Sequence, residues 1–147
     1  MTSVNRCLEY TTLPKEVSQD HKHIPSTWPT RGAIHFKNVS LRYRSDLPTV
    51  LHNLSFSISP GSKVAIVGRT GAGKSSIVQS LLRLHEIDPD GSIEIDGLDI
   101  KDISLTKLRS AISIIPQQPF LFQDTIRKNL NPFDKHLSDS DLWKVLS

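Results

Sequence analysis

The apolar positions change period several times along the chain, and each change marks an element. Residues 1–31 show no sustained period, and Pro14, Pro25 and Pro29 punctuate them, which predicts a connector. Trp28, between Thr27 and Pro29, is expected to anchor that connector on the domain that follows. From Ala33 the pattern alternates. Ile34, Phe36, Val39, Leu41 and Tyr43 predict a strand with a bulge near Asn38, where the period slips by one. Val50, Leu51, Leu54, Phe56 and Ile58 predict a second strand, and the polar alternate positions of both suit an antiparallel sheet wet on one face. After the turn Pro60-Gly61, the unbroken run Val64–Val67 predicts a buried strand. Ile77, Val78, Leu81, Leu82 and Leu84 then fall at helical spacing.

The second half is more broken. Asp88-Pro89-Asp90-Gly91 is a turn signal, Ser92–Ile95 a short strand and Asp96-Gly97 a hairpin signal. Ser104–Ser110 predicts a short helix with Leu105 and Leu108 on one side, and Ala111–Ile115 a buried strand ending at Pro116-Gln117. A loop with Phe120, Leu121 and Phe122 follows, then a helix over Thr125–Leu130 stopped by Asn131-Pro132. Ser138-Asp139-Ser140-Asp141 has capping-box spacing for a last helix through Leu142, Trp143 and Val145. The sequence ends within that helix, so truncation is expected.

Composition narrows the class only modestly. At 147 residues with 37% hydrophobic and 22% charged positions, one soluble globular unit is expected. The net charge of +3 is spread too thinly for a nucleic-acid surface, and no stretch interleaves basic and aromatic residues. The uncharged run Ala111–Phe122 is too short to span a bilayer. A lone Cys7 excludes an internal disulfide. His21-Lys22-His23 has no further ligands nearby in sequence and reads as solvated linker. The six acids from Glu86 to Asp99 read as a solvated face.

The chemistry sits between the apolar run at 64–67 and the helix after it. Gly68-Arg69-Thr70-Gly71-Ala72-Gly73-Lys74-Ser75 fits the phosphate-loop pattern G-x-x-x-x-G-K-[ST] in its required strand–loop–helix context. Gly71 and Gly73 allow backbone conformations and close approach that a Cβ would oppose. Successive N–H groups at a helix start favour an anion. Lys74 supplies a compact positive charge for terminal phosphates, and the Ser75 hydroxyl can ligate Mg²⁺. Asp96 follows an apolar stretch, as a magnesium-binding aspartate would. However, Ile93-Glu94-Ile95 alternates and no second acid follows, so that role is rejected. A phosphate-loop GTPase is disfavoured because no N-K-x-D segment is present.

Beyond the loop, the segments SVNRCLEYTTLPKE, LRYRSDLP, VGRTGAGKSS, LRSAISIIPQQPFLF and IRKNLNPFD occur in an order that resembles the nucleotide-binding domain of ABC transporters. The likeness is to the second such domain of the multidrug-resistance-associated (C) subfamily, and it covers nearly the whole chain. It implies an α/β fold: a partial P-loop NTPase (ABC ATPase) core with an antiparallel β subdomain. It also implies that residues 1–31 connect to a preceding transmembrane domain, and that residues 32–147 form the N-terminal part of an ATP-binding domain, ending before the signature motif and Walker B. By position, Tyr43 would stack on adenine, and Gln117 would contact Mg²⁺ and relay to the membrane domain. Gln118 stands where many relatives have an acid. The nucleotide-contacting set is then Tyr43, Gly68, Arg69, Thr70, Gly71, Ala72, Gly73, Lys74, Ser75, Ser76 and Gln117, with Ser75 and Gln117 on the metal. ATP and Mg²⁺ are the implied cofactors. The implied partners are a second nucleotide-binding domain, head to tail, and transmembrane domains in a membrane. The parent is expected to be an ATP-driven exporter, and this stretch its ATP-binding part without the hydrolytic residues. The alternative is a truncated stand-alone nucleotide-binding module.

Overall fold

A computed structural model describes residues 2–13, 24–133 and 136–146, in two compact units, residues 1–113 and 114–147. The His21-Lys22-His23 triplet lies outside the described residues.

The first unit begins with a helix, α1 (Thr2–Thr11), where the sequence pattern predicts only a connector. The run lacks Gly and Pro, the two strongest helix breakers, and the hydroxyls of Thr11 and Thr12 close its end by bonding the carbonyls of Leu8 and Glu9. Irregular backbone from Ile24 leads to the strands β1 (Ile34–Leu41) and β2 (Leu51–Ile58). The helix α2 (Lys74–Leu81) follows, and then the short strands β3 (Ser92–Ile95) and β4 (Leu98–Asp99). A 3₁₀ turn (Ile100–Asp102) and the helix α3 (Leu105–Ala111) complete the unit.

The four strands form one antiparallel sheet in the order β2-β1-β3-β4. Phe36 lies opposite Phe56 on one side and Ile93 on the other, and the two phenyl rings stack at 4.5 Å. The register slips between Phe36 and Val39, where the alternation also slips. Asn38 there, and Asn53 across the pair, take left-handed backbone, which asparagine tolerates better than most residues. Serine hydroxyls accept the amides set free by this: Ser55 from Asn38 and Ser40 from Asn53, both at 2.9 Å. The sheet buries Phe36, Val39, Leu41, Leu51, Ile93 and Ile95 with Ile100, Ile103 and Leu108, so the α3 side predicted from Leu105 and Leu108 does face the core. Trp28 is buried in the same cluster and donates its indole N–H to the Ile95 carbonyl at 3.0 Å, as an anchor should.

Two expected strands are not formed. Residues 62–69 carry no regular structure, and Val67 is 91% exposed. Residues 112–116 are likewise irregular, α3 runs through Ala111, and Ile115 is 93% exposed. A strand exists only with a hydrogen-bonded neighbour, and neither segment has one among the described residues. Their apolar character shows what they can pair with, not that they are paired. The strand–loop–helix context of the phosphate loop is therefore a segment without regular structure, a loop and a helix.

In the second unit, α4 (Ile126–Leu130) starts at Thr125, whose hydroxyl accepts the Lys128 N–H. The Asn129 side chain ties the preceding loop, accepting from the Phe122 N–H at 2.8 Å and donating to the Phe122 carbonyl at 3.0 Å. The last helix, α5 (Asp139–Leu146), has the reciprocal cap read from its sequence. Ser138 Oγ accepts the Asp141 N–H, and Asp141 Oδ2 accepts the Ser138 N–H. Those serine bonds hold the Asp141 carboxyl below its usual range.

Candidate functional site: the phosphate loop and Tyr43

The loop is built by two left-handed glycines. Gly71 (φ 80°) and Gly73 (φ 84°) lie between the irregular residues 62–69 and α2. At Gly73 the lack of a side chain matters twice, because a Cβ there would lie 3.1 Å from Leu51 Cδ2 and 3.3 Å from the Val50 carbonyl. The loop is thus pressed against the start of β2. The Ala72 N–H bonds the Arg69 carbonyl at 3.2 Å, closing the turn.

Gly73 is also the N-cap of α2, so no side chain caps this helix. The Ile77 N–H bonds the Gly73 carbonyl, while the amides of Lys74, Ser75 and Ser76 precede this first intrahelical donor. No acid stands in the first turn, so the positive end of the helix dipole is not neutralised there. Lys74 folds back over the loop and donates from Nζ to the carbonyls of Gly68 at 2.8 Å and Arg69 at 2.7 Å. An ammonium group so held is a movable cation beside a set of free donors. Arg69, Thr70, Ala72 and Ser75 are exposed, and the Ser75 hydroxyl is open to a ligand. This donor set suits the phosphates of a nucleotide, and an exposed hydroxyl beside them suits a hard cation.

The structure brings Tyr43 to the same helix. Tyr43 lies just beyond β1, outside the strand its alternation suggests. Its hydroxyl lies 2.7 Å from Ser76 Oγ and donates to Gln79 Oε1 at 2.9 Å, and His85 meets its ring edge to face. Ser76 is buried and engaged with Tyr43, unlike exposed Ser75. Gln117 lies in a bend of the second unit and is exposed.

Asp96 has a role that sequence reasoning missed. Its Oδ2 accepts the N–H groups of Thr30 (2.8 Å), Arg31 (2.9 Å) and Gly32 (3.1 Å), and its Oδ1 accepts that of Ala33 (2.8 Å). The amide of Arg31 foremost, then those of Gly32, Ala33 and Thr30, outweigh partial desolvation and lower the carboxyl to about 2. The residue therefore clasps the segment entering β1. The other acids of that stretch are not simply a solvated face either: Glu86 pairs with Arg83, Glu94 with Lys37, and Asp99 caps the 3₁₀ turn. The Asp-Gly signal at 96–97 marked the turn, with both residues at positive φ. Nothing in the spacing marked four acceptor bonds across more than sixty residues.

Among the described residues no cluster of three or more His, Cys, Asp or Glu could hold a metal, and no helix is long and apolar enough to cross a membrane. A family profile described as ABC transporter matches residues 51–147. The ABC-type transporter cicA of Emericella nidulans is 50% identical over 99% of this chain and 10% of its own length. ATP-binding cassette sub-family C member 4 of Mus musculus is 49% identical over 99% of this chain and 11% of its own. The ATP-dependent bile acid permease of Saccharomyces cerevisiae is 46% identical, with 99% and 9% covered. The chain thus spans about a tenth of the length of these relatives. A solved bacterial Atm1-family ABC exporter with ATP bound superposes with a TM-score of 0.80 at 36% identity, over 96% of this chain and 24% of that one.

Proposed function

This chain belongs to the ABC transporter family, sub-family C, with the fold of an ABC ATPase domain in part, and on that premise we propose that it binds Mg-ATP at the phosphate loop. The observation that carries this reading is the N-terminus of α2, without a side-chain cap, preceded by left-handed Gly71 and Gly73, with the Lys74 ammonium folded onto the loop. In this reading the backbone of Gly68, Arg69, Thr70, Gly71, Ala72 and Gly73 wraps the β- and γ-phosphates. Lys74 exchanges its two carbonyl bonds for phosphate oxygens, and the amides of Lys74, Ser75 and Ser76 supply the helix-end donors. Ser75 would hold Mg²⁺, which would neutralise charge on the phosphate oxygens. Tyr43 stacks on the base, which gives affinity with little selectivity among bases.

Residues 1–31 serve as the connector from a transmembrane domain, now with a helix and a Trp28 anchor in it. The partners are transmembrane domains and a second nucleotide-binding domain, head to tail, in a membrane exporter that couples ATP hydrolysis to transport. No nucleic acid is involved. The 147 residues alone hold the nucleotide without turning it over, because Asp96, which follows an apolar stretch, is followed by Gly97 and not by the second acid that would orient a water. The test is a titration of the purified 147-residue chain with Mg-ATP, with phosphate release followed in parallel. Saturable binding with release at background supports the reading. Release that needs Mg²⁺ and saturates with ATP would overturn the non-hydrolytic part of it.

A further inference from the structure

The Tyr43 hydroxyl has a geometry that stacking alone does not require. A phenol has a single hydrogen, and Tyr43 gives it to Gln79 Oε1 at 2.9 Å. The Ser76 hydroxyl, 2.7 Å away, must then be the donor to the Tyr43 oxygen. The result is a directed chain, Ser76 O–H to Tyr43 O–H to Gln79 carbonyl, in which each bond polarises the next. Ser76 is 3% exposed and sits in the first turn of α2, and Gln79 lies one turn further on the same helix. His85 adds a third contact, its ring centroid 4.7 Å from that of Tyr43 at an interplanar angle of 84°. Tyr43 itself follows β1 in a bend without regular backbone bonds, so its strand does not fix the ring.

We infer that Gln79, with Ser76, is a positioning residue for the nucleotide base: it holds the Tyr43 ring at a set distance from the phosphate loop. This rests on the reading of Tyr43 as the base platform and adds a cause for its placement. A free tyrosine on a bend would sample several χ1 and χ2 states, and a base would bind only the fraction in register. Two hydroxyl bonds to the helix that starts at the phosphate loop convert that fraction into the resting state. Phenylalanine at position 43 would keep the π-face and lose both bonds. The hydroxyl therefore matters separately from the ring.

The experiment compares ATP with inorganic tripolyphosphate as probes of the 147-residue chain, because tripolyphosphate reads the loop alone. The ratio of the two affinities isolates the base. Gln79→Ala and Tyr43→Phe should each lower that ratio about three- to tenfold, the worth of one or two net hydrogen bonds, with tripolyphosphate affinity unchanged. The double variant should fall no further than Tyr43→Phe alone, since both remove the same bond. Gln79→Glu, which keeps an acceptor, should restore the ratio, and any charge it adds near the loop acts on both probes. Far-ultraviolet circular dichroism checks that each variant is folded. Tyr43→Ala is the control for the platform itself. If it lowers the ratio while folded Tyr43→Phe and Gln79→Ala stay at the wild-type value, the positioning role is overturned and the platform stands. If the wild-type ratio is already near one, the platform reading fails with it.

Discussion

Replacing Asp96 by asparagine isolates the carboxylate that clasps residues 30–33. Asparagine accepts the left-handed backbone at this position (φ 50°), so the substitution adds little backbone strain. It replaces an acceptor-only group facing four N–H donors with an amide that has one oxygen and two hydrogens of its own. The carboxyl falls from the usual 3.8 to about 2. At 1.36 kcal/mol per unit this corresponds to about 2.4 kcal/mol at face value. Asp96 is partly exposed, so solvent screening reduces this to about 1 kcal/mol. The folded-state value is depressed, so the stabilisation is fully present above the unfolded value near 4 and is lost as pH falls toward about 2. Urea unfolding followed by Trp28 fluorescence, in a Trp143→Phe background so that one tryptophan reports, should show wild type more stable by about 1 kcal/mol at pH 6. The gap should close between pH 4 and 2. A gap that is absent at pH 6, or constant down to pH 2, would refute the clasp.

Gly73→Ala should weaken Mg-ATP binding at least about tenfold in a calorimetric titration, because a left-handed alanine costs about 1–2 kcal/mol and its Cβ would press on Leu51 and the Val50 carbonyl. Unchanged affinity would mean the loop opens at no cost. Trp28→Phe should lower the urea stability of the first unit by about 1–3 kcal/mol, as a buried indole bond to Ile95 and part of the ring volume are lost. Circular dichroism reads this variant, since it lacks the reporting tryptophan. A loss under about 0.5 kcal/mol would show that Trp28 is an ornament of the connector rather than its anchor.

Much of this was legible in the sequence where the cause is local. The β1 alternation, its slip near Asn38, the Asp96-Gly97 turn, the short helix ending at Leu130 and the Ser138–Asp141 box all depend on residues within a few positions of one another. The loop was legible for the same reason, since Gly71 to Ser75 carry their own instructions. What failed depended on partners. The runs 64–67 and 111–115 have strand composition, but a ladder needs a neighbour that composition does not name. The helix α1 was hidden because its run is short and mostly polar, and its apolar residues Val4 and Leu8 remain exposed. The Asp96 clasp and the Ser76–Tyr43–Gln79 chain are long-range polar contacts, which leave no period at all.

The central claim is that the loop from Gly68 to Ser75 binds the phosphates of Mg-ATP, and Lys74→Ala tests it most directly. Among the described residues, Lys74 Nζ bonds the Gly68 and Arg69 carbonyls of its own loop, and Lys74 is outside the core cluster of the first unit. Isothermal titration of wild type and variant with Mg-ATP, with Trp28 fluorescence confirming the fold of each, gives the answer. The account predicts saturable wild-type binding and a loss of about ten- to a hundredfold in the variant, as expected for a charge-assisted contact. Equal affinity in a folded Lys74→Ala chain would place the nucleotide elsewhere and contradict the account.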